Sequence, residues 1–113
     1  MDPRGMLFLF GAIVCELIGT NALKAADGFT RLLPTLLVVA GYGASFYLMS
    51  LSLRTIPLGV AYAIWSGLGT AAIAIIGALV WRERLNIIGV IGIVLIIAGV
   101  VLLNIFGSGE REA

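Results

Sequence analysis

Four long apolar runs, at residues 6–23, 32–53, 58–80 and 87–105, alternate with short polar breaks along this chain. A helix needs about 20 mostly apolar residues to cross a hydrocarbon layer about 30 Å thick. Each run therefore predicts one membrane-spanning helix. The breaks are Lys24 to Arg31, Arg54 to Pro57 and Trp81 to Asn86. Pro57 suits the first turn of a helix because its missing N–H is not needed there, and Gly28 supplies turn geometry. Connections this short make successive helices antiparallel. The predicted fold is an all-α membrane protein with four transmembrane helices, forming a single domain over residues 1–113.

Composition agrees with this pattern. Of 113 residues, 61% are hydrophobic and 12% charged, against roughly one-quarter charged in an ordinary soluble domain. The net charge of +1 and the lack of any basic run exclude the electrostatic footprint of a nucleic-acid binder. A single cysteine, Cys15, and no histidine disfavour disulfide, redox and metal chemistry. No nucleophile–base pair or phosphate-binding loop points to an enzyme. Arg4 is offset by Asp2, and Glu16 would interrupt the apolar core of a cleaved signal. The first helix is expected to remain in the mature protein.

One residue breaks the apolar pattern from within. Glu16 stands inside the first run, whereas Asp2, Asp27, Glu83, Glu110 and Glu112 fall in termini or breaks. A carboxyl group at membrane depth is costly unless protonated or paired, and such groups mark ion and substrate pathways. A protonated, hydrogen-bonded structural acid is the plainer alternative. Helical spacing places Ala12, Ile13, Gly19 and Thr20 on the face of Glu16, with Leu9 and Leu23 further along it. These neighbours are small or weakly polar and leave room beside the carboxyl. Cys15 points about 100° away.

Two further stripes carry polar-tipped aromatics. The second helix aligns Tyr42, Ser45, Phe46 and Met49, and the third aligns Tyr62, Trp65, Ser66 and Gly69. Such stripes are commonly core or interfacial packing. Combined with one buried acid, they also suit a hydrophobic or quaternary cation, held by cation–π and Coulomb attraction. Gly67 and Gly69, midway along the third helix, are candidates for a hinge or for close packing. In the fourth run, Gly92, Leu95, Ile96, Gly99 and Val100 form a small-residue stripe suited to helix association in lipid, either as a homodimer contact or within one chain.

With four spans, one side carries Arg4, Arg54 and Arg111, and the other Lys24, Arg31, Arg82 and Arg84. Orientation follows the Lys/Arg bias between sides. A balance of three against four gives almost no instruction, so insertion in both orientations is a live expectation.

These residues are where the chain resembles the small multidrug resistance family of bacterial proton-coupled exporters. The matching strings are Cys15-Glu16-Leu17-Ile18-Gly19-Thr20, Gly28-Phe29-Thr30-Arg31-Leu32, the run from Ile56 through Pro57, Tyr62 and Trp65 to Gly67, and Leu95-Ile96-Ile97-Ala98-Gly99-Val100. The resemblance implies an antiparallel, dual-topology homodimer in the bacterial inner membrane, with no cofactor. It implies that Glu16 binds protons and cationic substrate in turn. Tyr42, Tyr62 and Trp65 would line the site, with Ala12, Ile13, Gly19, Thr20, Ser45 and Phe46 beside them. The stripe from Gly92 to Val100 would be the dimerisation motif, and Gly67 with Gly69 the bend in the third helix.

The family divides into exporters of lipophilic or quaternary cations and exporters of guanidinium. The guanidinium branch typically has tryptophan where this chain has Gly19, and methionine where it has Tyr42. The resemblance therefore implies the multidrug branch. Asn86 stands where relatives are often acidic, and Met6 where a tyrosine is common. The implied activity is exchange of protons for hydrophobic organic cations by alternating access. Guanidinium export and a structural membrane subunit without transport of its own are the alternatives.

Overall fold

The computed structural model describes residues 2–106. Arg111, which enters the charge balance, and Glu110 and Glu112 lie outside them. The described chain contains four helices: α1 (Pro3–Ala25), α2 (Leu32–Ser52), α3 (Leu58–Leu79) and α4 (Ile87–Phe106). All four are long and apolar enough to cross a membrane. They form two compact hairpins, α1 with α2 and α3 with α4.

The first helix begins earlier than the hydropathy pattern predicts. Asp2 is its N-cap, with the side chain accepting a hydrogen bond from the Arg4 N–H at 3.4 Å, and Pro3 occupies the first turn. The polar residues at 2–4 read as a flank in sequence but start the helix, because a capping carboxylate and a proline at the first helical position both favour initiation.

A left-handed turn closes the first hairpin. Asp27, Gly28 and Phe29 have φ of 49°, 68° and 64°. The turn is held by Thr30 N–H to the Ala26 carbonyl at 2.9 Å and by the Thr30 hydroxyl to the Asp27 carbonyl at 2.8 Å. Gly28 adopts this region freely, whereas Phe29 bears a cost of about 1–2 kcal/mol there.

Glycines decide how closely α1 and α2 approach. A methyl group on Gly41 would lie 2.9 Å from the Cys15 carbonyl oxygen and 2.9 Å from both the N and Cα of Gly19. All three atoms are backbone, so no rotamer change relieves the contact. Leu9, Ala12 and Ile13 on α1 and Val38, Ser45 and Met49 on α2 are buried around this crossing. In hydrocarbon, where lipid tails are as apolar as leucine, such close approach supplies the van der Waals contact that holds helices together.

In the second hairpin, Gly67 of α3 faces α4. A methyl group there would sit 2.5 Å from Val100 Cγ2 and 3.3 Å from Ile96 Cγ2. At the loop end, the Glu83 N–H donates to the Gly77 carbonyl at 2.9 Å. On α4 only Val100 is buried. Its remaining apolar surface is left to lipid or to another protein chain.

Gly41→Ala is expected to destabilise the protein by about 1–3 kcal/mol, the usual cost of overpacking. Gly43→Ala, with nothing within 4 Å of the added methyl, is expected to be neutral or stabilising. Reversible unfolding in mixed detergent micelles checks both.

Candidate functional site

Glu16 lies two-thirds of the way along α1 and is half-buried. It is the only acidic residue within the four helices. One turn later, the Thr20 hydroxyl donates to Glu16 Oε2 at 2.5 Å. The same hydroxyl lies 2.8 Å from the Tyr42 hydroxyl on α2. Three polar side chains on two helices thus form one continuous chain.

Donor counting gives this chain a direction. A threonine hydroxyl has one hydrogen and two lone pairs, and an ionised carboxylate only accepts. With Glu16 ionised, Thr20 commits its hydrogen to Glu16 and must accept from Tyr42. The short Thr20–Glu16 distance fits an O–H donating to a charged oxygen. With Glu16 protonated, the carboxyl can donate to Thr20 and Thr20 to Tyr42. The same three groups serve both charge states, with the hydrogen-bond direction reversed.

The backbone explains how Tyr42 reaches Thr20. Gly19 has no side chain, and a methyl group on it would meet Tyr42 Cδ1 at 3.0 Å and Cε1 at 3.2 Å. The tyrosine ring lies across Gly19, and the Gly19–Gly41 approach brings the ring close enough for its hydroxyl to pass to the next residue on α1. Phe46 stands one turn beyond Tyr42, with ring centroids 6.5 Å apart and planes tilted by 30°. Phe46 is 58% exposed.

The remaining sequence-predicted residues fall in several places. Ala12 and Ile13 are buried, so they pack on the Glu16 face rather than border open space. Ser45 is fully buried, and its hydroxyl has no hydrogen-bond partner among the described residues. An unsatisfied buried hydroxyl costs about 1–3 kcal/mol. On α3, Tyr62 and Trp65 stack edge-to-face at 5.8 Å and 74°, with Tyr62 58% exposed. Ser66 is exposed on the same helix.

Gly67 and Gly69 lie inside α3, which runs unbroken from Leu58 to Leu79. The α4 stripe divides: Ile96 and Val100 turn toward Gly67 of α3, while Leu95 and Gly99 are exposed and Gly92 has nothing within 4 Å of an added methyl. Sequence spacing did not single out Gly41. Its signal was only its place one residue before Tyr42.

A family model for the Small Multidrug Resistance protein matches residues 4–96. The chain belongs to the small multidrug resistance family. It is 51% identical over 109 residues to the quaternary ammonium compound-resistance protein QacE of Escherichia coli, covering 96% of this chain and 99% of that one. It is 50% identical over 101 residues to the multidrug resistance protein EbrA of Bacillus licheniformis, covering 89% and 96% respectively. A putative ethidium bromide resistance protein of Escherichia coli is 50% identical over 99 residues, covering 88% of this chain and 86% of that one. Membership and the four apolar helices make this a multi-pass protein of the bacterial inner membrane. The family is one of small transporters, not enzymes.

The structure also brings together positions 19 and 42, at which the resemblance leads one to expect tryptophan and methionine in a guanidinium exporter. Gly19 and Tyr42 touch, and a tryptophan at 19 would occupy the space of the Tyr42 ring. A tryptophan at 19 and a tyrosine at 42 are therefore sterically coupled alternatives in this hairpin. Gly19→Trp alone is expected to destabilise the protein by about 1–3 kcal/mol through overpacking. Adding Tyr42→Met should recover most of that loss, as measured by unfolding in mixed micelles; additive losses would show that the two positions do not share this space.

Proposed function

We propose that this protein is a proton-coupled antiporter that exports lipophilic and quaternary ammonium cations across the bacterial inner membrane. Its relatives' names, which refer to quaternary ammonium, multidrug and ethidium resistance, support the substrate class. The observation that carries the reading is the placement of Glu16, the one acid in the spans, in a hydrogen-bond chain that can serve either charge state.

The mechanism is competition for one carboxyl. A cation favours the ionised acid through Coulomb attraction, and protons favour the neutral acid. On the first hairpin, Tyr42 and Phe46 offer aromatic faces to a hydrophobic cation at Glu16, and the second hairpin carries an aromatic pair of its own in Tyr62 and Trp65. The orphaned Ser45 hydroxyl is a further polar group for which a partner is wanted. Thr20 completes the proposed substrate-contacting set on this hairpin, with Ala12, Ile13 and Gly19 buried beneath it as packing, and Ser66 is exposed on the second hairpin. Tyr42 across Gly19 favours bulky cations over guanidinium.

The working unit we infer is an antiparallel homodimer. The near-even Lys/Arg balance permits both orientations, and Leu95, Gly99 and Gly92 on α4 offer an open small-residue face. Two chains of opposite orientation are equivalent to an inverted repeat, so exchanging protomer roles turns an inward-open state into an outward-open one. Bending of α3 at Gly67 and Gly69 would accompany that exchange.

In liposomes with an imposed pH gradient, the wild type is expected to accumulate tetraphenylphosphonium, and Glu16→Gln to show no gradient-driven uptake. Uptake persisting in Glu16→Gln would overturn the reading. Thr20→Val should slow uptake by about tenfold or more, having lost a hydrogen bond to a charged group worth about 1.5–3 kcal/mol, and Tyr42→Phe by about two- to tenfold, having lost a bond between neutral hydroxyls worth about 0.5–1.5 kcal/mol.

A further inference from the structure

Away from Glu16, where α1 begins and α2 ends, the first hairpin forms an open pocket of about 170 Å³. Arg4 lines it from α1 and Arg54 from the turn that follows α2, and Phe8 and Leu51 form its apolar wall. Neither guanidinium has a hydrogen-bond or ion-pair partner among the described residues. Asp2 also borders the cavity, but its carboxylate caps α1 by accepting from the Arg4 N–H. Two guanidiniums against one carboxylate leave the cavity positive, and the positive end of the α1 dipole adds to this.

The sign and the size exclude the transported cation. A lipophilic cation would be repelled, and sites for drug-sized molecules occupy about 300–1,000 Å³. Two exposed arginines lining one pocket, without partners among the described residues, instead match a phosphate, which a planar guanidinium binds through two parallel hydrogen bonds. Thr55, also in the lining, carries a hydroxyl that is a further donor.

Location identifies the source of that phosphate. A helix of 23 residues is about 35 Å long at 1.5 Å per residue, slightly more than the hydrocarbon thickness. Its first turn therefore lies at the level of lipid headgroups, and the Phe8 and Leu51 wall continues into the acyl region. We propose that this cavity is a binding site for the phosphate headgroup of an anionic phospholipid, held between Arg4 and Arg54 with the start of its acyl chains against Phe8 and Leu51. In a membrane holding the chain in both orientations, one such site would face each leaflet and steady the ends of α1 and α2 where the hairpin meets water. This inference requires only that the chain spans the membrane and is independent of the transport reading.

The test is native mass spectrometry of the full-length protein released from detergent with short-chain phosphatidylglycerol or phosphatidylcholine of the same acyl length. The expected result is preferential retention of phosphatidylglycerol, with affinity about 30-fold lower in the Arg4→Gln/Arg54→Gln double variant, from about fivefold per basic residue at an anionic surface. The Lys24→Gln/Arg31→Gln variant removes the same charge at the opposite end of the hairpin and should bind as wild type. Equal retention of the two lipids by the wild type would overturn the proposal without reference to any variant. So would unchanged binding in the arginine variant or an equal loss in the control. Displacement of phosphatidylglycerol by millimolar inorganic phosphate would identify a free anion as the ligand and overturn the lipid assignment.

Discussion

A half-buried carboxyl, Glu16, stands inside an apolar span, and much of the packing of the first hairpin brings hydrogen-bond partners to it. Thr20 alone can reach it from its own helix, but a hydroxyl that donates must also accept to be satisfied. Tyr42 supplies the second link, and it can do so only because Gly19 and Gly41 let α1 and α2 come together backbone to backbone. A side chain at either glycine would separate the helices or displace the ring, and the polar chain would be broken.

The two hairpins divide their glycines differently. In the first, glycine meets glycine across the interface, and the space gained is filled by an aromatic ring that carries a hydroxyl. In the second, Gly67 receives Val100 and Ile96 of α4, so the space at that glycine is filled by aliphatic side chains. Close packing is common to both. The same loose, glycine-rich construction leaves α4 with a single buried residue, which makes sense of a helix whose apolar surface is completed by lipid or by a second copy of the chain.

Much of this was legible in the sequence, for identifiable reasons. The four spans follow from hydropathy because, in hydrocarbon, backbone polar groups must be satisfied within each helix. The start of α1 was read too late because Asp2 and Arg4 look like a polar flank, whereas Asp2 is a cap and Pro3 an initiator. The face of Glu16 followed from helical spacing, which brought Gly19 and Thr20 beside it. Spacing cannot tell which glycine of one helix meets which of another, so Gly41 and the Tyr42–Thr20 link were not legible. For the same reason the α4 stripe looked continuous, although Ile96 and Val100 turn to α3 and Leu95 and Gly99 turn outward. Nothing in the order of residues marks the pocket that Arg4 and Arg54 both line, since they lie fifty positions apart.

The central claim is that a cation and a proton compete for Glu16, and a direct measurement is the release of protons when cation binds. Tetraphenylphosphonium would be added to the purified protein in weakly buffered detergent solution and the pH recorded. Acidification is expected from the wild type and none from Glu16→Gln of confirmed fold. Equal acidification by both proteins would place the exchanging proton elsewhere and contradict it.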